Sequence, residues 1–316
     1  MDIAGPEADF AIVTCADHKM LPAACCSLLS AHANLTCPAR FVLVALDLTK
    51  DDSDAVAKFG QKHGIGIELH PFASDQLPDM TSGRWPKAVL ARLFLDHVIF
   101  DKINRLLYLD ADTLVARSVE PLRSIDLRGR YVAAVDDFIM AFPKKLQSRR
   151  DAIGLRSGSS YFNSGVMLFD WPASLAASVL QTARDNIADR SENYHATDQD
   201  ALNAALEGKW LRLDPTWNVQ TGFLPSIQTP AILHFTGRRK PWQAGASWQH
   251  RSYSKIYRDY LEGTRWESTC RKPGLGRNMA NLALYLGKRL ENLRKSRSLR
   301  QYLEECRKYA RSDKLD

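Results

Sequence analysis

The chain has 316 residues, 45% of them hydrophobic and 25% charged, with a formal net charge of +7. That is the composition of a globular protein able to bury a large core. No stretch approaches the roughly twenty apolar residues of a membrane span, and the N-terminus lacks the basic start and apolar run of a signal peptide. The positive charge is confined to one end. From Arg271 onward thirteen Lys/Arg face five Asp/Glu, a net of +8, which leaves −1 for residues 1–270. A nearly neutral body argues against nucleic acid as a partner of the main domain. The six cysteines show no CxxC spacing and no zinc pattern with histidine, the usage of a reduced, cytoplasmic protein.

In chain order, residues 10–15 read as a first apolar strand, followed by Asp17, His18 and a helix over 19–32 with Leu21, Cys25, Leu28 and Leu29 at helical spacing. Residues 41–46 are a second buried strand, and Asp51, Asp52 and Asp54 suit the N-terminus of a short helix. Residues 64–70 are a third strand. This alternation predicts a parallel sheet with helices on both faces, and such sheets bind ligands at the carboxyl ends of their strands. The first turn contains no glycine, so the dinucleotide fingerprint is absent and a Rossmann dehydrogenase is not supported. Residues 88–99 read as a helix from whose apolar side Arg92 falls away, the ordinary position of a solvated arginine.

The chemistry concentrates in the next stretch, residues 105–115. Leu106 to Leu109 fit a strand buried on both faces, and Asp110 and Asp112 follow it directly. On extended backbone these two carboxylates leave the sheet on the same side. Paired anions at a buried strand end are costly unless a cation meets them, and hard divalent ions such as magnesium or manganese suit carboxylate oxygens. The bland alternative is two solvated, turn-forming aspartates. Residues 131–135 form another strand running into Asp136 and Asp137, and residues 141–160 look like a polar excursion or flap. The strand over 161–170 contains Asn163, Ser164 and Gly165, the glycine suggesting a bulge or a close backbone approach. A helix over 172–188 follows, and then one opened by Thr197 as N-cap, whose Asp198 and Asp200 complement the helix dipole. A short strand lies over 210–213. The last strand starts at Ala231 and ends in His234, Gly237, Arg238, Arg239, Lys240 and Trp242, a set better suited to gripping phosphates than to packing. No GxxxxGK[ST] spacing supports a P-loop.

Taken together these blocks resemble glycosyltransferase family eight, the retaining group that includes glycogenin and bacterial lipopolysaccharide galactosyl- and glucosyltransferases. The resemblance covers roughly residues 10 to 245 in consistent order. It implies an α/β fold: a single GT-A domain (Rossmann-like, of the nucleotide-diphospho-sugar transferases) over 9–270 with a mixed, mostly parallel sheet. It implies that Asp110, Asp112 and His234 hold Mn2+ or Mg2+ on a UDP-sugar. Ala16, Asp17, Arg92, Ala111, Asp136, Asn163, Ser164, Gly237 and Lys240 would bind the nucleotide sugar, and Asp198 and Gln199 would act at the sugar. The implied reaction moves glucose or galactose, with retention, from UDP to a saccharide or lipid-linked glycan in lipopolysaccharide or other cell-surface glycan synthesis. The metal and Lys240 would stabilise the charge building on departing UDP, and the polar side chains would orient the sugar.

Residues 271–316 read as a separate basic helical tail. Met279, Leu282, Leu286, Leu290 and Leu293 recur at helical spacing beside Lys288, Arg289, Arg294, Lys295, Arg297 and Arg300. That pattern suits a helix lying on an anionic membrane, at the inner face for a cytoplasmic enzyme; its plain alternative is a helix packed on the body. Two other functions compete. A haloacid-dehalogenase-type phosphohydrolase wants threonine or valine four residues after its first aspartate, where this chain has Leu114. A sugar-nucleotide-binding protein without turnover would have lost a key position, and none is lost.

Overall fold

The computed structural model describes residues 8–77, 87–98, 102–190, 194–237, 239–243, 250–270 and 299–308, with single positions 279, 282, 283 and 286. Among the described residues ten strands form two sheets: β1 (Phe10–Asp17), β2 (Arg40–Leu46), β3 (Ile67–Phe72), β4 (Arg105–Leu109), β5 (Thr113–Val115), β6 (Val132–Asp136), β7 (Phe162–Asp170), β8 (Trp210–Arg212), β9 (Val219–Gln220) and β10 (Ile232–His234). The large sheet has the order β3-β2-β1-β4-β7-β6-β8, and β5-β10-β9 make the small one. In the large sheet only β7 runs against its neighbours, antiparallel to both β4 and β6. The sheet is therefore mixed rather than the purely parallel one that the opening alternation predicts. The chain between β6 and β7 makes a local excursion and returns beside the strand it left, so no crossover forces the two parallel.

Alternation along the central strands splits the interior into two cores. Phe10, Ile12 and Ala16 of β1, with Leu107 and Leu109 of β4, face the helices Leu21–Ala33, Lys50–His63 and Arg251–Leu261. Ala11, Val13 and Cys15, with Leu106 and Tyr108, face the other layer, which holds Lys87–His97, Val179–Arg190 and Thr197–Ala205. Burial on both faces is why these strands read as continuous apolar runs. The Lys50–His63 helix opens with a reciprocal cap between Thr49 and Asp52.

Several elements depart from the sequence reading. Residues 141–160 hold a helix, Pro143–Ile153, started by Pro143 in its first turn and stopped by Gly154 in the left-handed conformation. It buries only Leu146 and Ile153, too sparse a stripe to show as a period. The segment Lys87–His97 is a 3-10 helix kinked at Phe94 rather than an α-helix. The helix read over 172–188 is two, Trp171–Ala176 and Val179–Arg190, parted at Ser178 with φ of 49°. Gly83, Pro86 and most of the basic tail lie outside the described residues. Residues 299–308 are helical and pack on the body, burying Leu303 and Cys306. Among the described residues no helix is long and apolar enough to cross a membrane.

Candidate active site

The carboxyl end of β4 is where the two sheets meet. Residues 110–112 form a turn, not extended backbone, closed by a 3.0 Å bond from the Thr113 amide to the Asp110 carbonyl. The turn still aims both carboxylates the same way, and it feeds β5 into the small sheet. There β5 pairs antiparallel with β10, setting His234 opposite Thr113. Thus Asp110, Asp112 and His234 present one ligand atom each, all within 4.8 Å of one another. His234 Nε2 lies 3.3 Å from Asp112 and 3.5 Å from Asp110.

The other ring nitrogen fixes the histidine. Nδ1 is 3.0 Å from Asn218 Oδ1, and the Asn218 amide nitrogen donates to Asn163 Oδ1 at 2.9 Å. Asn218 Oδ1 is thereby an acceptor, Nδ1 carries the proton, and in the neutral ring Nε2 turns its lone pair toward the two carboxylates. An acceptor nitrogen and two anions converging on one point call for a cation. Lys240 Nζ reaches Asp112 and the carbonyl of Phe235. Burial pushes the Asp112 carboxyl up, but the positive charge converging on it, from the His234 ring when doubly protonated and from Lys240, outweighs burial and holds the group well below its usual range.

Gly165 makes the convergence possible. A Cβ there would lie 2.1 Å from His234 Cε1 and 2.7 Å from an Asp110 carboxylate oxygen. The register between β6 and β7 also slips here, pairing Ala134 with Met167 but Val135 with Asn163. Both the bulge and the close approach are thus present.

Arg92 is not solvated. It is 5% exposed and spans the site, with Nη2 2.8 Å from Asp110, Nε 3.1 Å from Asp198, and Nη1 donating to the Ser164 carbonyl and hydroxyl, both at 3.1 Å. Burial opposes its charge, yet Asp110, Tyr108 and Asp198 keep it firmly protonated. Burial likewise raises the Asp198 carboxyl to about 6, with Arg92 resisting and Asp110 adding to the rise. Gln199 Oε1 accepts from the Asn163 amide and the Ser164 backbone at 3.1 Å, while its Nε2 donates to Asp137 at 3.2 Å and to Tyr161 at 3.1 Å. Asp198 therefore belongs to the site. Asp200, by contrast, caps its own helix region, accepting from the backbone of His195 and Ala196 and pairing with Arg149. Ala196, not Thr197, occupies the N-cap position.

One network therefore joins Arg92, Asp110, Asp112, Asn163, Ser164, Asp198, Gln199, His234 and Lys240. Ala111 sits buried within the turn, and Gly237 takes the left-handed φ of 93° two residues beyond Phe235. Ala16 and Asp17 close β1, the neighbour of β4, with Asp17 accepting from the Met20 amide at 3.0 Å. Asp136 is turned away from the network. Its carboxylate accepts from Arg212 Nε at 3.0 Å and from Tyr302. Asp137 takes the inward place instead, accepting from Asn163 Nδ2 at 2.9 Å and from Gln199. Adjacent residues leaving a strand point to opposite sides, and the sequence shows two aspartates with nothing to say which faces in. Asn218 was also not foreseen. It lies between Trp217 and the two-residue strand β9, with no motif around it.

A mixed sheet carrying an acidic turn at its junction with a small second sheet is the GT-A architecture of nucleotide-sugar transferases. A solved structure of the galactosyltransferase LgtC, in complex with donor and acceptor sugar analogs, superposes with a TM-score of 0.72 at 20% identity, covering 82% of this chain and 99% of that one. The sequence model of glycosyl transferase family 8 matches residues 11–246, and the chain belongs to that family. Similar proteins include General stress protein A of Bacillus subtilis, 26% identical over 81% of this chain and 94% of that one. Lipopolysaccharide 1,2-glucosyltransferase of Escherichia coli is 27% identical over 67% of this chain and 65% of its own length.

Proposed function

We propose that this glycosyltransferase moves a hexose, glucose or galactose, from a UDP-sugar to a saccharide acceptor with retention at the anomeric carbon. The observation that carries the reading is the convergence of Asp110, Asp112 and His234 on one point, beside Lys240 and a pocket wall of Arg92, Asn163, Asp198 and Gln199. The donor set fits Mn2+ or Mg2+: two carboxylates, and an imidazole whose proton sits on the far nitrogen. Gly165 supports that fit, since it keeps open the space in which the three ligands meet. Such an ion, when bound, supplies positive charge to the diphosphate as it departs.

The chain's own residues do the rest. Lys240 swings from Asp112 to a phosphate oxygen, where its charge counts most in the transition state. Arg92 ties Asp110 to Asp198 and so fixes metal ligands and sugar ligands in one frame. Asp198, Gln199, Asn163 and Asp137 hold sugar hydroxyls. Asp198 is clamped by Arg92, which favours a holding role and a same-face displacement in which UDP helps deprotonate the acceptor. Its carboxylate is also the candidate for a nucleophile should a double displacement operate.

The relatives named for lipopolysaccharide glucosyl and galactosyl transfer support a cell-surface glycan as acceptor. We assign the exposed side chains of Met279 and Leu286, within the basic tail, to contact with an anionic membrane surface at the cytoplasmic face. A screen of donor hydrolysis over UDP-sugars with manganese tests the reading. Hydrolysis of UDP-glucose or UDP-galactose is expected, and turnover with neither overturns it.

A further inference from the structure

Among the described residues, 299–308 pack on the outer side of the segment that carries Asp137 and on the neighbouring Val219, Phe223 and Ile227. Tyr302 donates to the buried Asp136 carboxylate, and Cys306 Sγ lies 3.4 Å from the same group. The Tyr302 ring stacks on Phe223, with centroids 6.3 Å apart and planes 14° from parallel. Phe223 in turn packs edge-on against Phe138 at 5.0 Å. Gln220 closes the same span, donating to the Asp136 carbonyl at 2.9 Å and accepting from the Phe138 amide at 2.8 Å. Tyr302 therefore braces both residues that flank Asp137, whose carboxylate accepts from Asn163 and Gln199 on the inner side.

The attachment is also slender. Leu303 joins Val219, Phe223 and Ile227 in a small buried cluster, flanked by Phe138, Leu224, Leu299 and Tyr302 and distinct from the two main cores. Between the helix and the edge strand β8 lies a cavity of about 810 Å³, bounded by Trp210, Arg212 and Asp214 on one side and Tyr302 and Glu305 on the other. An element held by one small apolar cluster and a few polar bonds can leave its seat without unfolding the body.

We propose that Tyr302 and Asp136 are positioning residues for the transfer reaction: docking of the C-terminal helix holds Asp137 in register with Asn163 and Gln199. This rests on the functional reading above. Asp136, buried against Arg212, serves as the anchor rather than as a sugar ligand.

The test is a double-mutant cycle in the full chain. Tyr302→Phe keeps the stacked ring and removes one bond to a carboxylate. It should lower kcat for donor hydrolysis roughly tenfold while the affinity for UDP stays parental. In an Asp137→Asn background the same change should have little further effect, because the group it positions is already altered. Gln301→Ala, an exposed neighbour on the helix, should behave as the parent. A second readout needs no turnover. The side-chain amide resonances of Asn163 and Gln199, both donors to Asp137, should shift in Tyr302→Phe and stay put in Gln301→Ala. Parental kcat with unmoved resonances, or equal losses in both backgrounds, overturns the proposal. Should the parent turn over no UDP-sugar, the functional reading fails and the resonances alone decide whether the helix positions Asp137.

Discussion

Replacing Gly165 by alanine tests the geometry of the metal site with a single methyl group. The new Cβ would stand 2.1 Å from His234 Cε1 and 2.7 Å from an Asp110 oxygen. Carbon atoms settle about 3.5 Å apart, so the imidazole must retreat by more than about 1 Å. Metal–ligand distances tolerate about 0.2 Å, so His234 would cease to be a ligand and Asp110 would be pushed off its place. A misplacement of about 1 Å near reacting groups costs about a hundredfold in rate. Crowding a packed site costs a further 1–3 kcal/mol or so in stability, a fall in Tm of a few degrees for a chain of this size. The assay is donor hydrolysis in manganese, paired with thermal unfolding. We expect turnover to fall at least about a hundredfold with the fold intact. Activity within about twofold of the parent would show that His234 and Asp110 need not converge, and the reasoning from Gly165 would be wrong.

Asp198 gives a pH dependence. Its carboxyl, raised to about 6 against an ordinary value of 3.8, holds its proton more tightly in the fold than in the unfolded chain. Its contribution to stability is thus whole below 3.8 and is lost as pH climbs through about 6. Turnover should rise over the same window as the sugar-holding carboxylate forms, and Asp198→Asn should flatten that limb; a limb unchanged in the variant rejects the assignment. Gln199→Ala removes the bonds to Asn163, Ser164 and Asp137 together. It should lower kcat well over tenfold with UDP affinity nearly parental by calorimetry, and an equal loss in both would place Gln199 at the nucleotide. Anionic vesicles should bind the full chain, more weakly but still measurably as salt rises, because the leucine face adds an apolar term that screening leaves alone. Binding to neutral vesicles of equal strength would remove the electrostatic part of that reading.

What the residues revealed before the fold was known depended on how local the signal was. The β1, β2 and β4 strands are legible because both faces are buried and all but Thr14 and the end positions Asp17, Arg40 and Arg105 are apolar. The acidic turn is legible because its two carboxylates sit in one short stretch. The meeting of Asp110 with His234 is not, since it needs β5 and β10, strands of three residues each, to pair across more than a hundred positions. Only the family resemblance brought them together beforehand. The same limit explains Arg92, which helical spacing assigns to solvent and which the charge of Asp110 and Asp198 draws inward. It explains Asp136 and Asp137 as well, where strand alternation decides the facing and no pattern in the chain marks the phase.

We propose that Asp110, Asp112 and His234 hold a divalent ion against a UDP diphosphate. Calorimetric titration of UDP into the full chain, with and without manganese, tests it most directly, with Asp112→Asn alongside. UDP should bind tightly with manganese and weakly without it, and the difference should be lost in Asp112→Asn. Equal affinity in the presence and absence of manganese in the parent protein would contradict it.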